Sequence, residues 1–311
     1  MIEFSLIIPV YNSRKYLKRL FDSILEQDFD NYEVVVVNDG STDTTGNVID
    51  EYSKRFHNFK VINISNSGPG VARRIGFENS TGRYLLFVDS DDVLYSNDVL
   101  SHFHKLISNN DPFDLLFFNV NVKFKNHTKL MNALNSKVSS DGLYDIDQIK
   151  NINVRSALWY KLFARDKMKK AFFTDAKNLE DCYTTYHYLN ECKNFYFCNK
   201  ICYVANRDVG DSLSKQDQLK KINESVDTLK ATYAITKYKK ALFFTIADYY
   251  TAMRRLIDKS SLSKNEKTRL ILKVLELKKI IKSHRPLLLK ANIKVQLKYM
   301  YYSIGDFRYE K

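Results

Sequence analysis

Glycine and proline are scarce in this sequence, which has 9 and 4 of them among 311 residues. Low counts of both argue against repeats and flexible linkers, and no internal repeat or low-complexity segment occurs. Hydrophobic residues at 44% and aromatic residues at 14% allow a sizeable core. The chain is therefore expected to fold as one large domain or two medium ones.

Long hydrophobic runs are also missing. No stretch of about 18 apolar residues occurs, which is the length that a membrane-spanning helix needs. The first residues, MIEFSLIIPVYN, lack the basic start, long apolar stretch and cleavage site of a signal peptide. We therefore expect a cytoplasmic protein that does not span a membrane.

Cysteines are few and their spacing gives no clear metal site. All four lie within residues 182–202, without paired C-x-x-C motifs. Reduced thiols in a cytoplasmic protein are the better interpretation, and a zinc site is the poorer one.

Positive charge is in excess, with a net charge of +13. This excess suggests a polyanionic partner: nucleic acid, a membrane surface or a phosphorylated substrate. Residues 259–311 hold fourteen Lys and Arg against four Asp and Glu, so most of the excess lies in this C-terminal region. A nucleic-acid binder would need basic residues interleaved with aromatics across a platform or a recognition helix. We therefore expect no nucleic-acid partner.

Apolar runs alternate with amphipathic segments along the first ninety residues. The runs are continuous, which indicates a parallel sheet covered by helices on both faces. Ligands of such open α/β sheets bind at the carboxyl ends of the strands. The predicted strands are 4–10, 33–39, 60–65 and 83–89, and the predicted helices are 15–27, 43–56 and 70–79.

The pattern loosens beyond residue 97. A helix at 98–109 and a strand at 114–122 are predicted, a helix begins near Leu179, and 195–205 resembles two short strands around a turn. From about residue 216 the sequence is helical and increasingly basic. We therefore divide the chain into a catalytic domain, 1–215, and a helical basic region, 216–311.

Three acidic residues, Asp89, Asp91 and Asp92, follow the fourth predicted strand. An acidic helix start accounts for one or two of them. Three are more typical of hard oxygen ligands for Mg²⁺ or Mn²⁺, and such an ion bridges to phosphate oxygens. A D-x-D motif alone remains weak evidence, since short acidic triplets are common.

Two further segments carry candidate chemistry. One interpretation of NDGSTD (38–43) is a turn followed by a capped helix start. The other is a strand end whose carboxylate accepts a hydrogen bond from a base or ribose. NSGPGVARRIG (66–76) allows close approach to a ligand, with Arg73 placed to reach a phosphate or to brace an acidic cluster. Its alternative is a surface loop with a solvated arginine. Neither a P-loop nor a dinucleotide-binding glycine motif occurs.

The order and spacing of four motifs resemble glycosyltransferase family 2, the inverting nucleotide-sugar transferases with the GT-A fold. These motifs are SLIIPVYN (5–12), VVVNDGSTD (35–43), NSGPGVAR (66–73) and FVDSDD (87–92). The resemblance continues more weakly through WYKLFARD (159–166), LED (179–181) and NRDVGDSLS (206–214). The whole arrangement is similar to that of bacterial capsule, lipo-oligosaccharide and wall-teichoic-acid transferases. It implies an α/β fold of GT-A type, with an open, mostly parallel sheet flanked by helices and a C-terminal helical extension.

The resemblance also implies roles for individual residues. Asp181 would be the general base with Glu180 in support, although acidic residues in a first helical turn are also favoured by the helix dipole. Asp91 and Asp92 would hold Mn²⁺ or Mg²⁺. The nucleotide would be bound by Pro9, Val10, Tyr11, Asp39, Arg73, Asp89, Arg207 and Ser212.

The implied reaction moves a hexosyl or N-acetylhexosaminyl group from a UDP-sugar to a hydroxyl of a bacterial surface glycan or its lipid-linked precursor. Two other classes stay open. A catalytically silent relative that binds a nucleotide sugar would be expected to lose the acidic ligands or the base. A nucleotidyltransferase would favour a glycine-rich basic loop after its first strand, where this chain has YNSRKY.

The C-terminal region carries a second pattern, after Pro286. Apolar residues recur every four positions beside a lysine stripe: Leu289, Ile293, Leu297 and Tyr301, with Lys290, Lys294 and Lys298. This pattern suits a helix lying in a membrane interface, and a helix packed on the catalytic domain is the alternative. We expect peripheral attachment to the inner face of the cell membrane through residues 259–311.

Overall fold

The computed structural model describes residues 1–134, 138–152, 154–207, 219 and 221–283. The chain divides into two compact units. The first comprises Met1–Gln148 and Ser156–Gly210, and the second comprises Ile149–Arg155 and Asp211–Lys311. The predicted boundary near residue 216 lies outside the described residues and stays a prediction.

The first unit is built on a mixed, mostly parallel sheet. Its strands are β1 (Phe4–Val10), β2 (Tyr32–Asp39), β3 (Phe59–Ile64), β4 (Tyr84–Phe87), β5 (Val93–Leu94), β6 (Leu115–Phe124), β7 (His127–Met131), β8 (Gly142–Asp145), β9 (Lys161–Ala164) and β10 (Asn194–Asn206). The order is β3-β2-β1-β4-β9-β6-β10-β5, with β7 beside β6 and β8 beside β10. The strands β1 to β4 run parallel to one another.

Strand β9 lies between β4 and β6 and is antiparallel to both. Strand β6 and its parallel neighbour β10 therefore run in the same direction as β1 to β4. The carboxyl ends of β1, β2, β4, β6 and β10 therefore lie along one edge of the sheet. In open α/β sheets this edge is where ligands bind.

Helices pack on the sheet as the apolar spacing predicts. They are α1 (Arg14–Leu25), α2 (Thr45–Ser53), α3 (Pro69–Glu78), α4 (Val99–Asn109) and α5 (Glu180–Glu191). In α1, the buried residues Leu17, Leu20, Phe21 and Ile24 recur at the three- to four-residue spacing that places them on one face. The predicted α/β class and its early elements are confirmed, with boundaries that differ by at most three residues.

One sequence expectation is wrong. The segment 195–205 is not two short strands around a turn but lies inside the single strand β10. Its pairing with β6 shifts register between Cys198 and Ile201, so a bulge takes up the turn-like residues and the strand continues.

The second unit is helical in its described part, with α6 (Ile222–Ile235), α7 (Lys239–Asp258) and α8 (Lys264–Ser283). Ser263 and Glu266 cap α8 reciprocally: the Glu266 carboxylate accepts the Ser263 N–H at 2.9 Å, and the Ser263 hydroxyl accepts the Glu266 N–H at 3.3 Å. None of the helices in the described ranges combines the length and apolarity that crossing a membrane requires.

The described start of the basic region packs within this helical unit. One apolar face of α8 is buried, formed by Ile271, Val274, Leu277 and Ile281, whereas Leu272 is 50% exposed. The amphipathic pattern at 289–301 lies outside the described residues. The membrane contact predicted for residues 259–311 stays a prediction.

Candidate active site

The acidic loop after β4 brings three carboxylates together. Ligand oxygens of Asp89, Asp91 and Asp92 lie within 4.8 Å of one another. Burial raises the pKa of Asp91 and of Asp92, and the nearby charge of Asp89 raises both further. Because these anions repel one another and offer only hard oxygen donors, the set fits Mn²⁺ or Mg²⁺.

Within this loop, Asp92 is tied to β10. Its Oδ2 accepts the Tyr203 hydroxyl at 2.8 Å and its Oδ1 accepts the Asn206 N–H at 2.7 Å. The Tyr203 hydroxyl in turn accepts the Asp89 N–H at 3.0 Å. Asp92 is 1% exposed, so its carboxylate anchors the loop, and Asp91 and Asp89 present the more accessible oxygens.

Arg73, on α3, joins the acidic loop to the start of α5. Its Nη2 lies 2.9 Å from Asp89 Oδ1, and its Nη1 lies 2.8 Å from Glu180 Oε1 and 2.9 Å from Asp181 Oδ1. The side chain is 6% exposed. Arg73 thus braces the acidic cluster, which is one of the positions that the sequence offered for it, and its predicted contact with the nucleotide stays a prediction.

The local backbone explains how one arginine reaches both acidic groups. A Cβ at Gly70 would lie 2.4 Å from the Thr174 carbonyl oxygen and 3.2 Å from Glu180 Cβ, so glycine is needed for α3 to approach this segment. Leu179 adopts a left-handed conformation (φ 61°) just before α5. Glu180 and Asp181 therefore occupy the first turn of α5, where the helix dipole favours acidic groups.

Asp181 has the properties of a base that works near neutral pH. Burial raises the pKa of Asp181 to about 7 against the lowering effect of Arg73, while the charges of Glu180 and Asp89 raise it further. A carboxyl group with such a pKa is matched to proton transfer at physiological pH.

Sequence reasoning missed Lys161, which lies on β9 and is fully buried. Its Nζ donates to the Ala157 carbonyl and lies 3.8 Å from the Tyr160 ring centroid. Burial lowers its pKa well below the usual range, and the charge of Asp181 opposes that shift. The signal was available, because a lysine inside the apolar segment WYKLF is unusual for a buried strand.

Two other contacts to the acidic loop come from residues that gave no signal in the sequence. Arg19, on α1, donates to the Asp91 carbonyl. The hydroxyls of Ser13 and Ser90 lie 2.7 Å apart. Arg19 is one of many charged residues on an amphipathic helix, so its role depends on the fold.

Asp39, at the end of β2, binds the main chain of the loop that precedes α3. Its Oδ1 accepts the Ser67 N–H at 2.6 Å and its Oδ2 accepts the Gly68 N–H at 2.8 Å. Gly68 has a φ of 92°, which favours glycine. The nucleotide contact predicted for Asp39 stays a prediction.

The segment after β1 has one exposed ring. Tyr11 is 48% exposed, whereas Val10 is 1% exposed. Pro9 is the residue before Val10 in β1. Asn12 (φ 48°) accepts the Thr42 N–H through its Oδ1 at 2.8 Å and so joins the ends of β1 and β2.

Arg207 directly follows β10. Its guanidinium carbon lies 5.8 Å from the Trp159 ring centroid, and Trp159 stacks on Tyr203 at 5.3 Å with an interplanar angle of 13°. The Arg207 N–H donates to the Lys123 carbonyl at 2.7 Å. Ser212 lies outside the described residues, so its predicted role stays a prediction.

The sheet order and the carboxylates at its carboxyl edge define an α/β protein with the GT-A fold. The glycosyl transferase family 2 model matches residues 5–186, which is more than half of the chain. The chain belongs to glycosyl transferase family 2.

Similar proteins are bacterial and archaeal. Glycosyltransferase GlyA of Streptococcus pneumoniae is 31% identical over 217 residues, which cover 64% of this chain and 29% of GlyA. The chain thus spans less than a third of the length of this curated relative. The poly(ribitol-phosphate) beta-N-acetylglucosaminyltransferase TarS of Staphylococcus aureus is 42% identical over 98 residues, covering 30% of this chain and 17% of TarS.

Solved structures support the fold assignment. TarS 1–349 with UDP-GlcNAc has a TM-score of 0.69 and 20% identity, covering 99% of this chain and 92% of that chain. Mannosyltransferase PcManGT of Pyrobaculum calidifontis, with GDP-Man and Mn²⁺, has a TM-score of 0.57 and 14% identity, covering 98% and 87%. At these identities, the likeness shows the shared GT-A fold.

Proposed function

We propose that this chain is an inverting glycosyltransferase that moves a hexosyl or N-acetylhexosaminyl group from a UDP-sugar to a hydroxyl of a bacterial glycan. The observation that carries the proposal is the arrangement around Arg73, which holds Asp181 beside the acidic loop. The relatives support the choice of donor and acceptor: TarS was solved with UDP-GlcNAc, and its name gives a polymer acceptor.

The proposed roles are those that the resemblance to glycosyl transferase family 2 implies for these positions. Tyr11, Pro9, Val10 and Asp39 bind the base, and Asp89 binds the ribose. Arg207, with Ser212, binds the diphosphate. Asp91 and Asp92 would hold the divalent ion, and Asp92 is also fixed to β10 by its hydrogen bonds. When bound there, Mn²⁺ or Mg²⁺ would neutralise the charge that develops on the departing UDP.

Asp181 performs the proton transfer in this proposal. Its carboxylate takes the proton of the acceptor hydroxyl as the oxygen forms a bond to the anomeric carbon. The bond from that carbon to the diphosphate oxygen breaks on the opposite face, and UDP leaves with the electron pair. Arg73 keeps the carboxylates of Glu180 and Asp181 oriented, and attack opposite the leaving group inverts the anomeric centre.

Titration calorimetry with UDP tests the donor site. We expect UDP binding in the presence of Mn²⁺ that EDTA or the variant Asp91→Ala abolishes. Equal affinity with and without the ion would contradict the metal role. A thermal-shift screen of nucleotide sugars with Mn²⁺ identifies the donor, because a ligand that binds only the folded state raises the unfolding temperature.

Release of UDP from the donor so identified tests the reaction. A chain that binds the donor but neither hydrolyses nor transfers it would be a silent relative. A chain that transfers the nucleotidyl group of this donor would release sugar phosphate instead of UDP. The proposed function requires UDP as the product.

Attachment to the inner face of the membrane is a further part of this proposal. Residues 284–311 carry the lysine stripe and the apolar repeat, and the net charge of the region favours anionic lipid. The acceptor would then be a lipid-linked glycan precursor at that surface.

A further inference from the structure

The hairpin formed by the end of β6 and by β7 is basic and exposed. Residues 115–140 contain no Asp or Glu. The exposed lysines of the hairpin are Lys123, Lys125 and Lys129, and His127 is exposed beside them. Among the described residues, no carboxylate forms an ion pair with any of these three lysines.

Strand pairing places this hairpin beside the acidic loop. Lys123 is the Cα partner of Asn206 in the parallel pair of β6 and β10. The Asn206 N–H donates to Asp92, and its side-chain amide donates to the Asp91 carbonyl at 3.3 Å. Adjacent strands lie about 4.8 Å apart, so the base of the hairpin begins one strand away from the candidate metal loop.

Protection of a sheet edge explains only part of this charge. Lysines on edge strands prevent pairing with other chains, and Lys129 on β7 fits that role. Lys123 lies on β6 between β7 and β10, and Lys125 lies in the turn. The rings of Phe124 and His127 stack across the turn at 4.7 Å and 13°, so the hairpin presents its lysines on an ordered tip.

We propose that this hairpin, residues 123–129, binds an anionic glycan acceptor that carries phosphate or carboxylate groups along its chain. The inference rests on the proposed function, because it assigns the acceptor of the same site. Lysines bind such groups as point charges without demanding one geometry, which suits a flexible polymer whose repeats pass the site. A neutral glycan would gain nothing from three unpaired cations.

The experiment compares a hairpin variant with a variant of equal charge. The hairpin variant is Lys123→Gln, Lys125→Gln and Lys129→Gln. The control replaces three exposed lysines on other elements, Lys54, Lys105 and Lys193, by Gln. Binding of a polyol-phosphate oligomer, of polygalacturonate and of neutral dextran is measured by biolayer interferometry at 50 and 300 mM NaCl, with UDP and Mn²⁺ present.

We expect the unmodified chain to bind at least one of the two anionic polymers and not dextran, with weaker binding at high salt. The hairpin variant should lose at least tenfold in affinity, and the control less than twofold. The polymer that binds more tightly shows whether the hairpin prefers phosphate or carboxylate groups. Binding of UDP by calorimetry should be equal in all three proteins.

Three results would overturn the inference: equal polymer affinity of the hairpin variant and the unmodified chain, equal losses in both variants, or no binding of either anionic polymer. A hairpin variant that loses only binding to anionic lipid vesicles would also overturn it. If UDP binding with Mn²⁺ persists in those cases, the proposed function stands without the hairpin. Loss of UDP binding in the unmodified chain would instead contradict the proposed function.

Discussion

Arg73 Nη1 lies 2.9 Å from Asp181 Oδ1, and the same guanidinium also contacts Asp89 and Glu180. One buried cation is therefore shared among three carboxylates from two segments that are far apart in sequence. The arrangement links the candidate base to the loop that is proposed to hold the donor. It also makes the fold depend on Arg73, because three partly buried carboxylates would otherwise lie close together without a cation.

Replacing Arg73 by Gln should lower the free energy of unfolding by about 3–5 kcal/mol, as expected when one partner of a buried ion pair is removed. The neighbouring Arg74 is a matched control. Its ion pair with Asp175 joins side chains that are 27% and 74% exposed, and such surface pairs contribute less than about 1 kcal/mol. Urea denaturation of both variants checks the difference. An equal loss of unfolding free energy in the two variants would show that Arg73 does not stabilise the carboxylate cluster.

The pH dependence of kcat/KM should show an acid limb near pH 7. This parameter reports ionisations of the free enzyme, and burial raises the pKa of Asp181 to about 7. Because the base must be ionised, activity should rise with pH through this value and be lost below it. Initial rates between pH 5 and 9 with saturating Mn²⁺ measure the limb. A rate that is flat from pH 5.5 to 8 would exclude Asp181 as the titrating base.

Asp181→Asn should reduce turnover by at least about 100-fold while UDP affinity changes less than twofold. The amide keeps the shape of the carboxyl group but cannot take the proton of the acceptor, and general bases contribute about 10²–10⁴ in rate. Turnover and calorimetric UDP binding are measured on the same preparation. Near-normal turnover would show that Asp181 is not the base. Glu180 would then be the next candidate, and the variant Glu180→Gln tests it.

The early fold could be read from the sequence because three of its four strands, β1, β2 and β4, are mostly buried. Continuous apolar runs such as the one in β2 specify both a strand and its burial, and a polar residue such as Asp39 marks the strand end. The strand β10 could not be read in this way, because its bulge is fixed by pairing with β6. Tyr203 was missed for a similar reason: it is one of 21 tyrosines, and only the sheet brings it to Asp92.

Tyr203→Phe should raise the Mn²⁺ concentration needed for half-maximal UDP binding by about tenfold. The change removes the hydroxyl that joins Asp92 to the Asp89 N–H, so the acidic loop loses its fixed geometry. Stability should fall by only about 1–2 kcal/mol, the usual effect of losing such hydrogen bonds. Tyr196→Phe, on the same strand, is the control for loss of a tyrosine hydroxyl. Unchanged Mn²⁺ dependence in Tyr203→Phe would show that the loop does not need this contact.

Membrane attachment should depend on residues 284–311 and not on α8. The apolar face of α8 formed by Ile271, Val274, Leu277 and Ile281 is already buried in the helical unit, so this face is not available to lipid. Each basic residue near an anionic surface contributes about 1 kcal/mol. Replacing Lys290, Lys294 and Lys298 by Gln should therefore greatly weaken co-sedimentation with anionic vesicles at low salt. Replacing Lys264, Lys267 and Arg269 by Gln, within α8, should have a smaller effect. If the full chain does not sediment with anionic vesicles at low salt, the membrane proposal is wrong.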